Sequence, residues 1–262
     1  MIDVNNIPVS NDPRRINLEG PVLVAHQAEF MPWLGFISKA SMGDVFLILD
    51  DTQFKKDYFE NRNKIRFHKK EGWQWLNVPV KNKHKLPNMM DMKVTDLNWK
   101  KKHLKSIKQS YSKAPYFDEI YGELESIYNN IDCYKLVEIN IKLIKYAFKK
   151  FKIDIPVLRV SELKKNGKKI EGESTDLIVS LANVFNAKSF VAGVSGRNYL
   201  DVDKFRINNI NLVFQDFRHP EYTQIHGSFI PCMSFIDLLF NHPQNMAIKI
   251  LGKSNYVKGL NK

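Results

Sequence analysis

The chain has little cysteine and no apolar run long enough to cross a bilayer. Its two cysteines, Cys133 and Cys232, are far apart in 262 residues and lie near no cluster of metal-ligating side chains. This excludes a disulfide-dense scaffold, and we expect both thiols to be reduced. No run of about 18 apolar residues is present, which argues against a transmembrane helix. The first residues also lack the layout of a signal peptide, so we expect a cytoplasmic protein.

Short motifs for phosphate and metal binding are also missing. Neither GxxxxGK[ST] nor GxGxxG occurs, so the sequence supports no P-loop and no dinucleotide fingerprint. The seven histidines show no HxH or HxxxH spacing. We therefore expect no metal, and the sequence leaves any other cofactor unknown.

Positive charge is abundant. The chain has 40 lysines and arginines against 28 acidic residues, a formal net charge of +12. Such an excess is typical of nucleic-acid-binding proteins. Here the basic residues are mostly lysines spread over many segments, which favours a solvated surface. A general attraction for anionic small molecules, membrane surfaces or tRNA is the functional alternative.

The apolar pattern predicts an α/β domain. Short apolar runs at 21–25 and 44–51 flank an amphipathic segment at 34–41, as in the βαβ unit of a parallel sheet. Alternating segments at 64–67 and 73–80 predict an antiparallel hairpin inserted after the second strand.

The rest of the chain predicts further helices and strands around this unit. Between 98 and 151 the apolar period changes to 3.6, which predicts a helical middle segment. The other predicted elements are strands at 92–97, 155–163, 189–192 and 211–217, a helix at 174–187 with Ser174 as its N-cap, and a helix at 233–241. We expect a flexible segment over 1–20 and one domain over 21–262. That domain is Rossmann-like, with a mainly parallel sheet flanked by helices, the inserted hairpin and a helical subregion at about 98–151.

Polar residues follow several of the predicted strands. Ligands of open parallel sheets bind beyond the carboxyl ends of the strands. His26 and Gln27 follow the first strand, and Asp50 and Asp51 follow the second. The strand at 189–192 runs into a turn with the polar or flexible residues Gly193, Ser195, Gly196, Arg197 and Tyr199. We expect these groups to share one edge and form a pocket, with Trp33 as a wall.

The inserted hairpin adds a second set of candidate ligand-binding residues. They are Gln53, Asn61, Arg62, Asn63 and Arg66. Two amides and two guanidiniums fall within six residues, and a planar guanidinium suits a phosphate or a carboxylate.

Each candidate also has a structural alternative. A histidine at a strand end can satisfy loop carbonyls, and Asp50 and Asp51 can cap a turn or pair with nearby lysines. The glycine-serine-glycine segment can be a tight turn, and Trp33 can be a packing residue. For the hairpin residues the functional and structural interpretations have equal weight.

Taken in order, several blocks resemble the WbqC-like protein family. They lie at 26–35, 49–53, 61–63 and 195–200, and the resemblance spans about 21–245. Two positions depart from the family pattern: Ala28 stands where a proline is frequent, and Glu29 stands where we expect a small polar residue.

The resemblance implies a role in surface-polysaccharide (O-antigen type) biosynthesis, as a transferase that moves an aminoacyl or acyl group such as glycyl to a nucleotide-linked amino sugar. In such a reaction His26 would act as base, and Gln27, Asn61 and the 193–196 backbone as oxyanion donors. Asp50 would orient the base or bind the amine. The guanidiniums that would hold phosphate are those of Arg62, Arg66 and Arg197. The aminoacyl donor could be carried by tRNA.

Two alternatives stay open. The order of strand, histidine-containing turn, helix and strand is similar to that of adenylate-forming nucleotidyltransferases related to pantothenate synthetase, which implies an ATP-dependent carboxylate-activating ligase. Those enzymes use two histidines separated by two residues, and here His26 stands alone. The net charge supports a third class, a non-catalytic nucleotide or RNA binder. The sequence leaves the oligomeric state open.

Overall fold

A six-stranded sheet runs through the centre of the structure, and a two-stranded sheet lies beside it. The structure is a computed structural model that describes residue 4 and residues 7–69, 71–254 and 257–259. In chain order the strands are β1 (Val22–His26), β2 (Val45–Ile48), β3 (Arg62–Arg66), β4 (Trp73–Asn77), β5 (Val157–Arg159), β6 (Ser189–Ala192), β7 (Asn211–Gln215) and β8 (Val257–Gly259).

The order of the central sheet is β5-β2-β1-β6-β7-β8. All neighbours pair in parallel except β8, which is antiparallel to β7. Numbered along the chain within this sheet alone, the order is 3-2-1-4-5-6, which is that of doubly wound nucleotide-binding folds. The predicted α/β, Rossmann-like fold is therefore confirmed. The direction in which strands are added reverses between β1 and β6.

The parallel strands are apolar because helices cover both faces of the sheet. Alternate residues of β1 enter two separate core clusters: Val22 and Val24 join one, and Leu23 and Ala25 join the other. The helices of the described residues are α1 (Leu34–Ser41), α2 (Trp99–Tyr111), α3 (Phe117–Asn129), α4 (Leu136–Lys150), α5 (Val160–Lys165), α6 (Ser174–Val184), α7 (Val202–Ile207), α8 (Phe235–Asn241) and α9 (Gln244–Gly252). Among them no helix is both long and apolar enough to cross a membrane.

The inserted hairpin and the helical middle segment are present. Strands β3 and β4 pair antiparallel, with Arg62 opposite Asn77 and Arg66 opposite Trp73. The helices α2, α3 and α4 occupy most of the 98–151 range, and α2 packs against the hairpin.

Three local predictions are wrong. Residues 92–97 form no strand, because Lys93 and Val94 make single bridges to different segments. The strand predicted at 155–163 ends at Arg159, and helix α5 begins at once. Ser174 does not cap its helix, because it is the first helical residue and Glu173 holds the N-cap position.

The flexible segment predicted for 1–20 lies partly on residues 1–3 and 5–6, outside the described residues. Within the rest, the Ser10 N–H donates to Asp44 Oδ1 at 2.7 Å, and Arg15 pairs with the same carboxylate at 2.6 Å. Arg14 donates to the carbonyl of Phe151 at 2.7 Å. These bonds attach residues 10–15 to the loop before β2 and to the end of α4. The division into domains stays a prediction.

The start of α1 offers a test of close packing, because the Trp33 ring lies directly over Gly35. A Cβ on Gly35 would lie 2.2 Å from a ring carbon of that indole. We expect Gly35→Ala to lower the free energy of unfolding by about 1–3 kcal/mol through overpacking. The control Gly122→Ala, in α3, meets nothing within 4 Å and should raise it by about 0.5–1 kcal/mol. Urea denaturation measures both, and equal effects would contradict this packing.

Candidate active site

Several predicted polar segments lie at one edge of the central sheet. In the parallel register His26 is opposite Ile48 of β2, and Val24 is opposite Val191 of β6. The segments that begin at His26, Asp50 and Gly193 therefore all leave the sheet at its carboxyl edge. In doubly wound folds this edge holds the ligand where the strand order reverses, which here is between β1 and β6.

The His26 imidazole is oriented by its own loop. Its Nδ1–H donates to the carbonyl of Gln27 at 3.0 Å, and the Phe36 ring packs edge-on at 5.0 Å. Burial, together with the charge of Lys39, holds the pKa of His26 well below its usual value. Because Nδ1 carries the proton of the neutral ring, Nε2 keeps a free lone pair. The side chain is 28% exposed, so the ring is at the boundary between the interior and solvent.

One buried carboxylate, that of Glu29, lies beside this ring, and a second, that of Glu60, lies near Glu29. Glu29 Oε1 is 3.9 Å from His26 Nε2, and burial raises the pKa of Glu29 to about 8. Glu60 accepts the N–H of Lys55 at 2.8 Å, and burial raises the pKa of Glu60 to about 7. Among the described residues, Glu29 Oε2 and Glu60 Oε1 have no hydrogen-bond partner, although both atoms are buried.

Lys39 brings a positive charge to the same place. Its side chain leaves α1, and Nζ donates to the carbonyl of Ala25 at 3.1 Å. A Cβ on Gly193 would lie 3.9 Å from that nitrogen, so Lys39 lies between the ends of β1 and β6. Burial lowers the pKa of Lys39 to about 7. We refer to His26, Glu29, Lys39 and Glu60 as the buried cluster.

One amide fixes the spacing of the two carboxylates. Asn140 Nδ2, from α4, donates to the carbonyls of Ala28 and Glu60, each at 2.7 Å. It therefore joins the backbone beside Glu29 to the backbone of Glu60. These two loops also meet through the N–H of Phe30 and the carbonyl of Phe59 at 2.9 Å.

Glu29, Lys39 and Glu60 were not among the residues predicted for the site. A signal for Lys39 was available, because it is the one charged residue of a helix that is otherwise apolar or small. Glu29 departs from the family pattern, but that departure did not indicate that its carboxylate is buried in the site. Glu60 lies in a segment rich in charge, where nothing marks it as buried.

The aspartates after β2 have partners on β5 and α5. Asp50 accepts from Arg159 Nε at 2.7 Å and from the backbone and hydroxyl of Ser161 at 2.9 and 2.6 Å. Asp51 pairs with Lys164 at 2.6 Å. Asp50 thus fixes the point where β5 passes into α5, and its carboxylate serves Arg159 rather than His26.

The predicted amides mainly hold the backbone. Gln27 Nε2 donates to Thr52 Oγ1 at 2.8 Å and to the Gln53 carbonyl at 2.9 Å, which joins the loops after β1 and β2. Asn61 Nδ2 donates to the carbonyl of Val78 at 2.9 Å, and Asn63 Nδ2 to that of Met31 at 2.8 Å. Gln53 itself is exposed.

The predicted arginines do not converge. Arg66 is buried and donates to the carbonyls of Ile225 and His226. Arg62 stacks on Trp75 at the other end of the hairpin, and Arg197 stacks on Phe214, both at 4.3 Å.

The turn after β6 is a 3₁₀ helix that exposes most of its side chains. Ser195, Arg197 and Tyr199 are exposed, whereas Gly196 is buried against Leu200 and Ala192. At the start of α1, the Trp33 ring packs edge-on against Phe217 at 5.0 Å.

No three side chains of His, Cys, Asp or Glu converge as metal ligands do in the part of the chain that the structure describes. The carboxylates of the buried cluster carry raised pKa values, whereas metal ligands are deprotonated. The expectation of no metal stays a prediction.

Comparison with known proteins places the chain in a family. The model of the WbqC-like protein family matches residues 27–248. The chain belongs to the WbqC-like protein family. A Mycobacterium tuberculosis relative, the uncharacterized protein Rv1507c, is 29% identical over 217 residues, which cover 82% of this chain and 91% of that protein. No solved structure matches the chain. The family match thus includes Glu29, Lys39 and Glu60 of the buried cluster, and it begins one residue after His26.

The two aspartates should differ sharply in their effect on stability. Asp50→Asn should lower the free energy of unfolding by about 2–4 kcal/mol, because it weakens a buried ion pair with Arg159. Asp51→Asn, whose partner Lys164 is partly exposed, should cost about 1 kcal/mol or less. Chemical denaturation measures the two values. A stable but inactive Asp50→Asn protein would instead support a catalytic role for Asp50.

The raised pKa of Glu29 predicts a pH-dependent stability. Between about 4.5, its ordinary value, and about 8, the folded protein holds a proton that the unfolded chain releases. The contribution is therefore fully present below pH 4.5 and is lost as the pH rises through 8. Glu29→Gln lacks this loss, so its stability relative to wild type should rise from pH 5 to pH 8. Denaturation at several pH values measures it. A difference that stays constant over this pH range would contradict the raised pKa of Glu29.

Proposed function

We propose that this WbqC-like protein transfers an acyl or aminoacyl group, such as glycyl, to the amine of a nucleotide-linked amino sugar in surface-polysaccharide biosynthesis. The observation that supports the proposal most is the neutral His26 imidazole, with a free Nε2, beside buried Glu29 and Lys39 at the reversal point of the sheet. The family resemblance supplies the type of sugar, and the buried cluster supplies the chemistry.

An amine can attack a carbonyl only after it loses the proton of its ammonium form. Glu29 and Glu60 offer two buried oxygens that have no hydrogen-bond partner among the described residues, and such oxygens suit an ammonium group. Because burial raises the pKa of Glu29 to about 8, its carboxylate, when ionised, accepts the ammonium proton and leaves the neutral amine. The amine nitrogen then attacks the carbonyl carbon of the donor, and His26 Nε2 accepts the proton as the C–N bond forms. The bond between that carbon and the donor's leaving group breaks, and the leaving group takes the proton from His26.

We assign to the Lys39 ammonium the stabilisation of the tetrahedral intermediate that forms when the amine attacks the carbonyl. Attack on the carbonyl places negative charge on its oxygen, and a preorganised cation in a dry site stabilises such an oxyanion. Lys39 Nζ lies between the ends of β1 and β6, beside the backbone of Gly193. Burial lowers the pKa of Lys39 to about 7, so this role requires a pH at or below neutrality or the negative charge of a bound substrate.

The strand order supports one second candidate. A sheet with order 3-2-1-4-5-6 binds nucleotides at its reversal point in many enzymes, which favours the ATP-dependent carboxylate-activating ligase. The two reactions differ in their products, because the ligase releases pyrophosphate from ATP and the transferase does not.

Turnover should depend on His26. The purified protein is incubated with nucleotide-linked amino sugars and with either glycyl-tRNA or glycine plus ATP, and mass spectrometry detects the acylated sugar. His26→Gln should lower its rate of formation by about 10²–10⁴-fold, because the amine loses its base. Thermal denaturation should shift by only a few degrees.

The control is His84→Ala, which changes an exposed histidine in a different part of the chain. It should leave the rate unchanged. An equal rate for His26→Gln would reduce His26 to a structural residue. Release of pyrophosphate with glycine and ATP in the absence of sugar would favour the ligase over the transferase.

A further inference from the structure

A polar pocket lies next to the buried cluster, at the end of the β3–β4 hairpin opposite its turn. Its lining combines an indole, two cations, two amides and a carboxylate: Asp57, Asn61, Arg62, Trp75, Asn77 and Lys83. We refer to it as the hairpin pocket. At about 220 Å³ it is smaller than most ligand pockets, which favours a single ring system rather than several successive bases.

The hairpin pocket opens beside a stack of cations and indoles. Arg62 lies 4.3 Å from the ring centre of Trp75, and Lys64 lies 4.2 Å from that of Trp73. Trp73 and Trp75 contact each other edge-on at 5.5 Å. Trp75 is 36% exposed, so an aromatic surface remains open to solvent. Bases stack on such surfaces and on guanidinium planes.

The Arg62 guanidinium is only partly satisfied. One of its Nη groups donates to the carbonyl of Asp57, and the other is 3.7 Å from the Asp57 carboxylate. Its Nε is buried and has no hydrogen-bond partner among the described residues. Lys83 is exposed and forms no salt bridge with a described residue. The cations around the hairpin pocket therefore exceed its single carboxylate, which favours an anion.

The hairpin pocket and the buried cluster are connected by one short segment. Asn61 lines the hairpin pocket, and Glu60, the residue before it, belongs to the buried cluster. Tyr58 lies two residues before Glu60 in the chain, and partial burial with the charges of Glu29 and Glu60 raises its pKa. Asp57, the residue before Tyr58, lines the hairpin pocket again.

We propose that the hairpin pocket binds the nucleoside diphosphate part of the substrate. The base packs against the Trp75–Arg62 stack, and the edge of Arg62 and the Lys83 ammonium donate to the diphosphate oxygens. A sugar attached to this diphosphate then extends past Tyr58 towards the buried cluster. The proposal rests on the proposed function for the direction of the sugar, whereas the binding of the diphosphate stands on the pocket itself.

The intrinsic fluorescence of tryptophan tests this site without any assay of catalysis. UDP, dTDP and GDP are titrated separately into the full-length protein, and inorganic pyrophosphate is titrated as the probe without a base. Nucleoside diphosphates should quench the fluorescence and bind at least tenfold more tightly than pyrophosphate. Trp75→Leu and Arg62→Lys should each weaken binding at least tenfold in calorimetry. Circular dichroism checks that both variants are folded.

The matched control is Trp73→Leu, which removes the neighbouring indole but no residue of the hairpin pocket. It should keep the affinity within about twofold, as should Lys85→Ala beside Lys83. Full affinity in both Trp75→Leu and Arg62→Lys would overturn the proposal. Binding of single-stranded RNA with a steep salt dependence, without binding of nucleoside diphosphates, would overturn it as well. Diphosphate binding without any acyl transfer would leave the hairpin pocket assigned and refute only the proposed function.

Discussion

The electrostatics of the buried cluster depend on the burial of one lysine, whose ammonium lies at the end of strand β1. Helix α1 is buried on every side, so Lys39 cannot extend its ammonium to water and places it on the Ala25 carbonyl. A charge removed from water requires opposite charge nearby. Glu29 and Glu60 meet that requirement only if they are ionised, and burial opposes their ionisation too. The groups of the buried cluster therefore cannot all be charged at once, and few protons are distributed among them. Titratable groups with such shifted pKa values are common in catalytic sites.

Around this cluster, side-chain amides and guanidiniums donate the hydrogen bonds that neighbouring strands supply within a regular sheet. The loops after β1 and β2 leave the sheet and give up its ladder of hydrogen bonds, so their buried carbonyls need other donors. Gln27 and Asn63 supply these donors, as Asn140 does from α4. Arg66 does the same for the segment after β7, where it donates to the carbonyls of Ile225 and His226. The side chains that resemble ligand-binding residues in sequence are thus largely the ones that hold irregular backbone. Arg62 differs, because its guanidinium is stacked at an open pocket and its Nε has no hydrogen-bond partner among the described residues.

The periodicity of the sequence predicted the parallel sheet, the hairpin and the helical middle segment, because each follows from the pattern of burial along one segment. The position of His26 at a strand end was predictable for the same reason. The partner of Asp50 was not predictable, since Arg159 is 109 residues away along the chain and comes close only because β5 pairs with β2. Burial of Glu29, Lys39 and Glu60 depends on three segments packing together, and a charged residue carries no local sign of that. The prediction for Ser174 was wrong because serine is a typical N-cap residue, whereas Ser174 is the first residue of its helix and follows the N-cap position.

The bidentate role of Asn140 has a consequence for how this site can be adjusted. Because one amide nitrogen holds the backbone at both Ala28 and Glu60, a displacement of α4 carries the two acidic loops along as a unit. Helix α4 therefore supports both acidic loops from behind: substitutions where it contacts α3, at Tyr146 and Lys150, can change the distance between the two carboxylates without touching either one.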